Sequence, residues 1–320
     1  MLRHSGKMHL AAKRQFGHLG ALRSCRILHP CFNWDSRVTE NIQNHRVERV
    51  VGGQAPTLAD LLKPFVDAFR NRSLIIALVV ASEKSMFHRI WLGMAWKYIE
   101  PLMMVATYFI FLSAVRGSAA GSTWELLAVI LTGLMFYEIF RRSLVSSCTV
   151  YLSFQSILTS TNTPLIVVFM CGLAQTVAAN YPVWLMAVLM AAFAYGPSAH
   201  IVFIPPLILL AFFCIAPFAL AVSFIGIYFR DLGRLLEVLM RALLFISPVL
   251  YETRSVTGKL QKVLAANPMS AFIEGARDLL FRGEFTQGRL LLIVIGMSLV
   301  MWPIALWMVH RIGRRVVKVL

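Results

Sequence analysis

The residues of this chain that can carry charge or exchange a proton fall into a few tight groups. Arg230, Asp231, Arg234, Glu237 and Arg241 recur at three- and four-residue steps, so on a helix they form a ladder of both signs. Glu138 precedes Arg141 and Arg142 by three and four residues, which sets one carboxylate against two guanidiniums at a helix end. Ser85, Arg89, Gly93 and Lys97, with Lys84 and His88 beside them, make a polar or small stripe, and Glu274, Arg277, Asp278 and Arg282 make another. The chemistry open to such groups is pairing and positioning. No nucleophile, base and orienting acid stand together, and no H-E-x-x-H or similar metal spacing occurs. Cys25, His29 and Cys31 lack a fourth ligand at a standard spacing, so they are read as unrelated residues of an arm.

The elements that must hold these groups are membrane elements. In 320 residues, 58% are hydrophobic and 14% charged, with a mean hydropathy of +0.70. Soluble domains carry nearer ~25% charge. The net charge of +16 raises nucleic acid as a partner, but the basic residues sit in the amino-terminal arm and beside apolar runs. That placement is the positive-inside pattern, and no nucleic acid is expected. The five cysteines show no disulfide framework.

Residues 1–56 are basic, acid-poor and without apolar period, and are read as a disordered cytoplasmic arm. Residues 57–98 carry the amphipathic segments of a cytoplasmic collar: Leu58 to Arg72, a short apolar run Leu74 to Ala81, and Glu83 to Tyr98. In the last, Phe87, Ile90, Trp91, Met94 and Tyr98 oppose the polar stripe, so it should lie flat on the membrane and turn inward at Pro101. Residues 99–310 then hold six spans, about Ile99–Val115, Trp124–Phe140, Pro164–Tyr195, Ile201–Ile227, Leu235–Tyr251 and Leu290–Val309. Between the fifth and sixth, Asn267-Pro268 reads as a helix start and Gly283 as its stop. That helix is too short to span, so it lies at the outer interface or folds back in. Residues 311–320 are a basic tail, and the loop charges put both termini in the cytoplasm.

Four pieces, in order, resemble the ABC-2 type permeases that export capsular polysaccharide and O-antigen. The first is Arg89, Leu92-Gly93, Trp96 and Pro101-Leu102, with Ile90 where that family has tyrosine. The others are Tyr228-Phe229-Arg230-Asp231, Ser247-Pro248-Val249-Leu250-Tyr251, and Asn267-Pro268 with Ile273, Glu274 and Arg277. Gly52-Gly53-Gln54 has the letters of an ABC ATPase signature, but without a G-x-x-x-x-G-K-[ST] loop nothing here cradles ATP phosphates.

The resemblance implies an all-α integral membrane protein with an amphipathic cytoplasmic interface helix and an outer re-entrant or surface helix. It implies a homodimer driven by two copies of a separate ABC ATPase, with ATP and magnesium on that partner and no cofactor on this chain. The cargo implied is a lipid-linked polysaccharide, crossing the bacterial inner membrane toward periplasmic and outer-membrane export proteins. On it, Arg89, Gly93, Trp96, Lys97 and Pro101 form the interface helix, and Gln155, Asn162, Tyr228, Phe229, Arg230 and Asp231 couple to the ATPase. Asn267, Pro268, Glu274 and Arg277 belong to the outer helix. Tyr108, Phe109, Phe136, Tyr137, Phe245 and Tyr251 are candidates for lining a path, where aromatic faces would stack on sugar rings. Two other readings stand beside it: an ABC-2 permease for drugs or small lipids, and a multispan glycosyl or polyprenyl transferase.

Overall fold

A chain with long uncharged runs must satisfy its backbone polar groups within each segment, which in a bilayer means helices. The computed structural model is helical, with no strand among the described residues. It describes residues 66–67, 69–87, 91–116, 122–160, 163–196, 198–253 and 267–319, with 258 and 264. All of these lie in one compact unit, Val47–Leu320.

The order is α1 (Arg72–Phe87), α2 (Trp96–Arg116), α3 (Thr123–Ser147), α4 (Val150–Ser153), α5 (Gln155–Ser160), α6 (Leu165–Tyr195), α7 (Ile204–Tyr228), α8 (Leu232–Ile246), α9 (Pro268–Arg277) and α10 (Gly288–Val319). Short 3-10 turns, Gly93–Ala95 and Ala199–Phe203, lead into α2 and α7. Five helical segments are long and apolar enough to cross a membrane: Gly93–Val115, Thr123–Ser147, Leu165–Tyr195, Ala199–Tyr228 and Gly288–Gly313. The chain is a multi-pass membrane protein.

The expected fifth span differs from the other five. Its helix, α8, has 15 residues, about 22 Å at 1.5 Å per residue, less than the ~30 Å of hydrocarbon. It stops at Ser247, and the turn that follows packs the Val249 backbone against α3 at Gly133. A Cβ on Gly133 would stand 2.3 Å from the Val249 carbonyl oxygen, so only glycine permits this approach. At the other end of α3, Gly226 of α7 meets the Cys148 backbone in the same way.

The entry into the first span also departs from expectation. The expected continuous helix from Glu83 to Tyr98 is broken: α1 ends at Phe87, and the chain turns at Gly93, with φ +47°, before α2 begins at Trp96. Pro101 lies inside α2 and does not mark the bend. It is only the sixth residue of the helix, so the carbonyl it deprives is that of Lys97, near the helix start, where the backbone has room to tilt. The helix expected over Leu58–Arg72 falls largely outside the described residues.

Two apolar clusters hold the bundle. One, built on α3, α6, α7, α8 and α9, includes Met135, Phe136, Ile139, Val183, Leu244 and Phe272. The other gathers α4 and the adjoining parts of α6, α7 and α10 around Tyr151, Phe169, Leu220, Phe224 and Trp302, with α1 packed on it through Leu74, Ile75, Leu78 and Val79. The Gly226–Cys148 and Gly313–Leu165 approaches place the ends of α3, α7 and α10 and the start of α6 together. This is the basic end; α9 belongs to the opposite end.

Candidate functional site

At the basic end, the carboxylate of Glu138 receives Arg141 through Nε at 2.9 Å and Nη2 at 2.7 Å, and Arg142 through Nε at 2.8 Å. Helix spacing alone delivers this arrangement. Arg142 also reaches Glu100 of α2 at 3.6 Å, so the cluster ties α3 to α2. Glu138 is buried, and two guanidiniums offset the cost of keeping its charge away from water.

A few residues earlier on α2, Lys97 bonds Glu83 of α1, donates to the Ala178 carbonyl of α6 at 3.2 Å, and stands 5.7 Å from the centre of the Tyr181 ring. The Tyr98 and Tyr181 hydroxyls meet at 2.9 Å, and Gln175 Nε2 of α6 donates to Ser82 Oγ of α1 at 2.7 Å. Thus Lys97, expected on a surface stripe, is a half-buried junction of three helices. Trp96 is exposed next to it, and Arg89 lies outside the described residues.

The coupling candidates sit on turns. Tyr228, Phe229, Arg230 and Asp231 are all exposed where α7 gives way to α8. The Asp231–Arg234 pair, 3.6 Å apart and almost fully solvated, adds little to stability. Arg241 and Glu237 pair at 3.3 Å on the exposed face of α8. Gln155 is exposed at the start of α5, and Asn162 lies outside the described residues.

At the far end α9 is folded into the bundle rather than laid on its surface. Asn267 caps it, its side chain accepting from the Met269 amide at 3.0 Å, with Pro268 first in the helix, and Gly283 at φ +68° ends the π-turn that follows. Both faces are buried. Phe272 stacks on Phe136 at 6.0 Å between centroids, while the charged face finds partners inside. Arg277 donates through Nη2 to the Val129 and Val249 carbonyls, each at 2.9 Å, and through Nη1 to the Tyr251 carbonyl at 2.9 Å and Glu274 Oε1 at 3.0 Å. Burial pushes its guanidinium below the ordinary value, against the pull of Glu274 and Glu252. Glu274 Oε1 also accepts the Thr253 amide at 2.9 Å and hydroxyl at 3.0 Å. Arg282, the last residue of the π-turn, bridges Asp278 and Glu252. The unwound end of the fifth segment is therefore held by the helix that follows it in sequence.

The aromatic candidates separate into two sets. Phe136 and Tyr137 are packed inside the subunit, the latter bonded to the Met240 carbonyl. Phe245 is exposed, Tyr108, Phe109 and Tyr251 are half-buried, and the Tyr251 hydroxyl donates to the Phe245 carbonyl at 2.8 Å. Sequence reasoning missed Glu83 and Tyr181 as partners of Lys97, and Glu100 as a partner of Arg142. One signal was present for Ala178: Pro182, four residues on, has no amide for it.

No family model matches the chain. It is similar to the O-antigen export system permease protein RfbA of Myxococcus xanthus, 22% identical over 239 residues that cover 73% of this chain and 90% of that protein. The protein of the same name from Klebsiella pneumoniae is 24% identical over 215 residues, 66% of this chain and 81% of that one. With five helices suited to a bilayer, the chain is a multi-pass membrane protein similar to O-antigen export permeases, in line with the resemblance read from the motifs.

Proposed function

We propose that this chain is the permease subunit of an ABC exporter that carries a lipid-linked polysaccharide of O-antigen or capsular type across the bacterial inner membrane. The observation that carries the reading is the similarity to two O-antigen export permeases over 73% and 66% of the chain. The chain works as a homodimer with two copies of a separate ABC ATPase, which binds the ATP and magnesium. Six segments cross the membrane, α8 and its unwound end serving as the fifth, with both termini in the cytoplasm. The basic end is then cytoplasmic, and α9 is a re-entrant helix on the periplasmic side, where export proteins of the periplasm and outer membrane receive the polymer.

The exposed Tyr228-Phe229-Arg230-Asp231 turn and the α5 turn with Gln155 offer the ATPase a surface at that end. ATP-driven movement there reaches the spans through the Glu138 and Lys97 clusters. Exposed Phe245 and half-buried Tyr108, Phe109 and Tyr251 are the candidates for sugar contact, each stacking contact worth about 1 kcal/mol.

Deleting the gene and staining for surface polysaccharide tests the proposal. Loss of surface polymer with accumulation inside the cell is the expected result. Loss of polymer with no internal pool would point to a transferase. An unchanged surface with altered drug or lipid efflux would point to an ABC-2 permease for small cargo.

A further inference from the structure

Pro182 lies inside α6 and has no amide hydrogen, so the Ala178 carbonyl one turn earlier has no helical donor. In a bilayer such a carbonyl has to be satisfied from a neighbouring helix. Lys97 of α2 does so, its Nζ 3.2 Å from the Ala178 oxygen. The same ammonium bonds the Glu83 carboxylate of α1 and faces the Tyr181 ring of α6. Three helices therefore meet on one cation, whose side chain is only 10% exposed. Elsewhere α2 is held by the Glu100–Arg142 pair and by Val105 and Leu112 in the core, while Leu102, Met103, Ile110 and Phe111 are exposed along its length. A second proline shows the simpler version of the arrangement. Pro217 leaves the Phe213 carbonyl of α7 to the Ser298 hydroxyl of α10, at 3.4 Å, with no charge involved. A hydroxyl is enough to satisfy a carbonyl; an ammonium that also binds a carboxylate on a third helix does more.

We infer that Lys97 is a positioning residue for transport, fastening the collar helix α1 to the turn of α6 before Pro182 and to the start of α2, so that movement of the collar carries the first and third spans with it. The inference rests on the proposed export function.

The test separates this role from mere satisfaction of a carbonyl. Wild-type permease and the variants Lys97→Met, Glu83→Gln, Pro182→Ala and Lys97→Met/Pro182→Ala are returned to a deletion strain that retains its own ATPase. Surface polymer, permease level in the membrane and thermal melting in detergent are measured. Lys97→Met should lower surface polymer about tenfold, within the range of residues that couple distant sites. Adding Pro182→Ala gives position 182 its amide hydrogen back, so melting should recover while export stays low. Full recovery of export in the double variant overturns the inference, since the carbonyl would then be all that Lys97 serves. Normal export by Lys97→Met also overturns it. If Lys97→Met fails to accumulate, Glu83→Gln decides, because it leaves the ammonium on Ala178: a several-fold drop in export supports the inference and unchanged export overturns it. A wild-type permease that leaves the surface bare overturns the export reading and this inference with it. A normal wild type beside a normal Lys97→Met overturns this inference alone.

Discussion

The hydroxyl of Tyr137, midway along α3, donates to the carbonyl of Met240 in α8 at 2.7 Å. Tyr137 is 1% exposed, so this bond belongs to the interior of the subunit and fixes the height of the short helix against the second span. Replacing the hydroxyl by hydrogen in Tyr137→Phe should cost about 1 kcal/mol, the usual net value of such a bond. Thermal melting in detergent measures it, and export should remain within about twofold of normal if the residue only positions α8.

Gly133 and Gly226 should reject even a methyl group. Each would press a Cβ to 2.3 Å from a backbone carbonyl, that of Val249 or Cys148, and a backbone cannot step aside as a side-chain tip can. Gly133→Ala and Gly226→Ala should each destabilise by about 1–3 kcal/mol or more. Gly296→Ala is the control: it lies within α10 with nothing within 4 Å of its added Cβ, and should be neutral or stabilising by about 0.5–1 kcal/mol. Membrane levels and melting temperatures of the three variants provide the comparison.

Removing Arg277 should be among the most damaging single changes in the protein. Arg277→Met strips donors from three carbonyls and leaves Glu274 buried without its cation, a loss of about 3–5 kcal/mol. Glu274→Gln/Arg277→Met should be less harmful than Arg277→Met alone, because no lone charge stays inside. Equal damage in the two would mean that the carbonyls, not the charge, account for the loss.

Arg230→Ala should behave in the opposite way. Its side chain is exposed on the turn between α7 and α8, so folding and membrane insertion should stay within about 0.5 kcal/mol of normal. If the turn meets the ATPase, export should fall severalfold, as for other coupling residues. Surface polymer normalised to permease level is the measurement, and normal export would remove Arg230 from the coupling surface.

The elements most legible in the sequence were those governed by local rules. Asn267, Pro268 and Gly283 mark the start and stop of α9 and its π-turn because capping depends on a few neighbouring residues. Glu138 with Arg141 and Arg142 was legible for the same reason, the spacing itself making the contact. What escaped depended on partners distant in sequence. The bend before the first span falls at Gly93 rather than Pro101, since a proline near a helix start disturbs only one carbonyl while a glycine accepts positive φ freely. The polar stripe of α9 left open whether that helix lies at the interface or folds back in, and its arginine is buried against carbonyls of residues 129, 249 and 251. Hydrophobic period cannot distinguish water from an internal set of acceptors. Phe136 and Tyr137 resembled wall-lining aromatics for a similar reason: composition reveals an aromatic inventory but not which rings face one another.

The grip of Arg277 is on main-chain oxygens at Val129, Val249 and Tyr251. Every amino acid supplies such an oxygen, so letters at those three places can drift through evolution without erasing the acceptors. The donor has no comparable freedom, since among ordinary side chains only a guanidinium fans out enough hydrogens to reach them all. Saturation mutagenesis of positions 129, 249, 251 and 277 should therefore show intolerance at 277 and far more freedom at the other three.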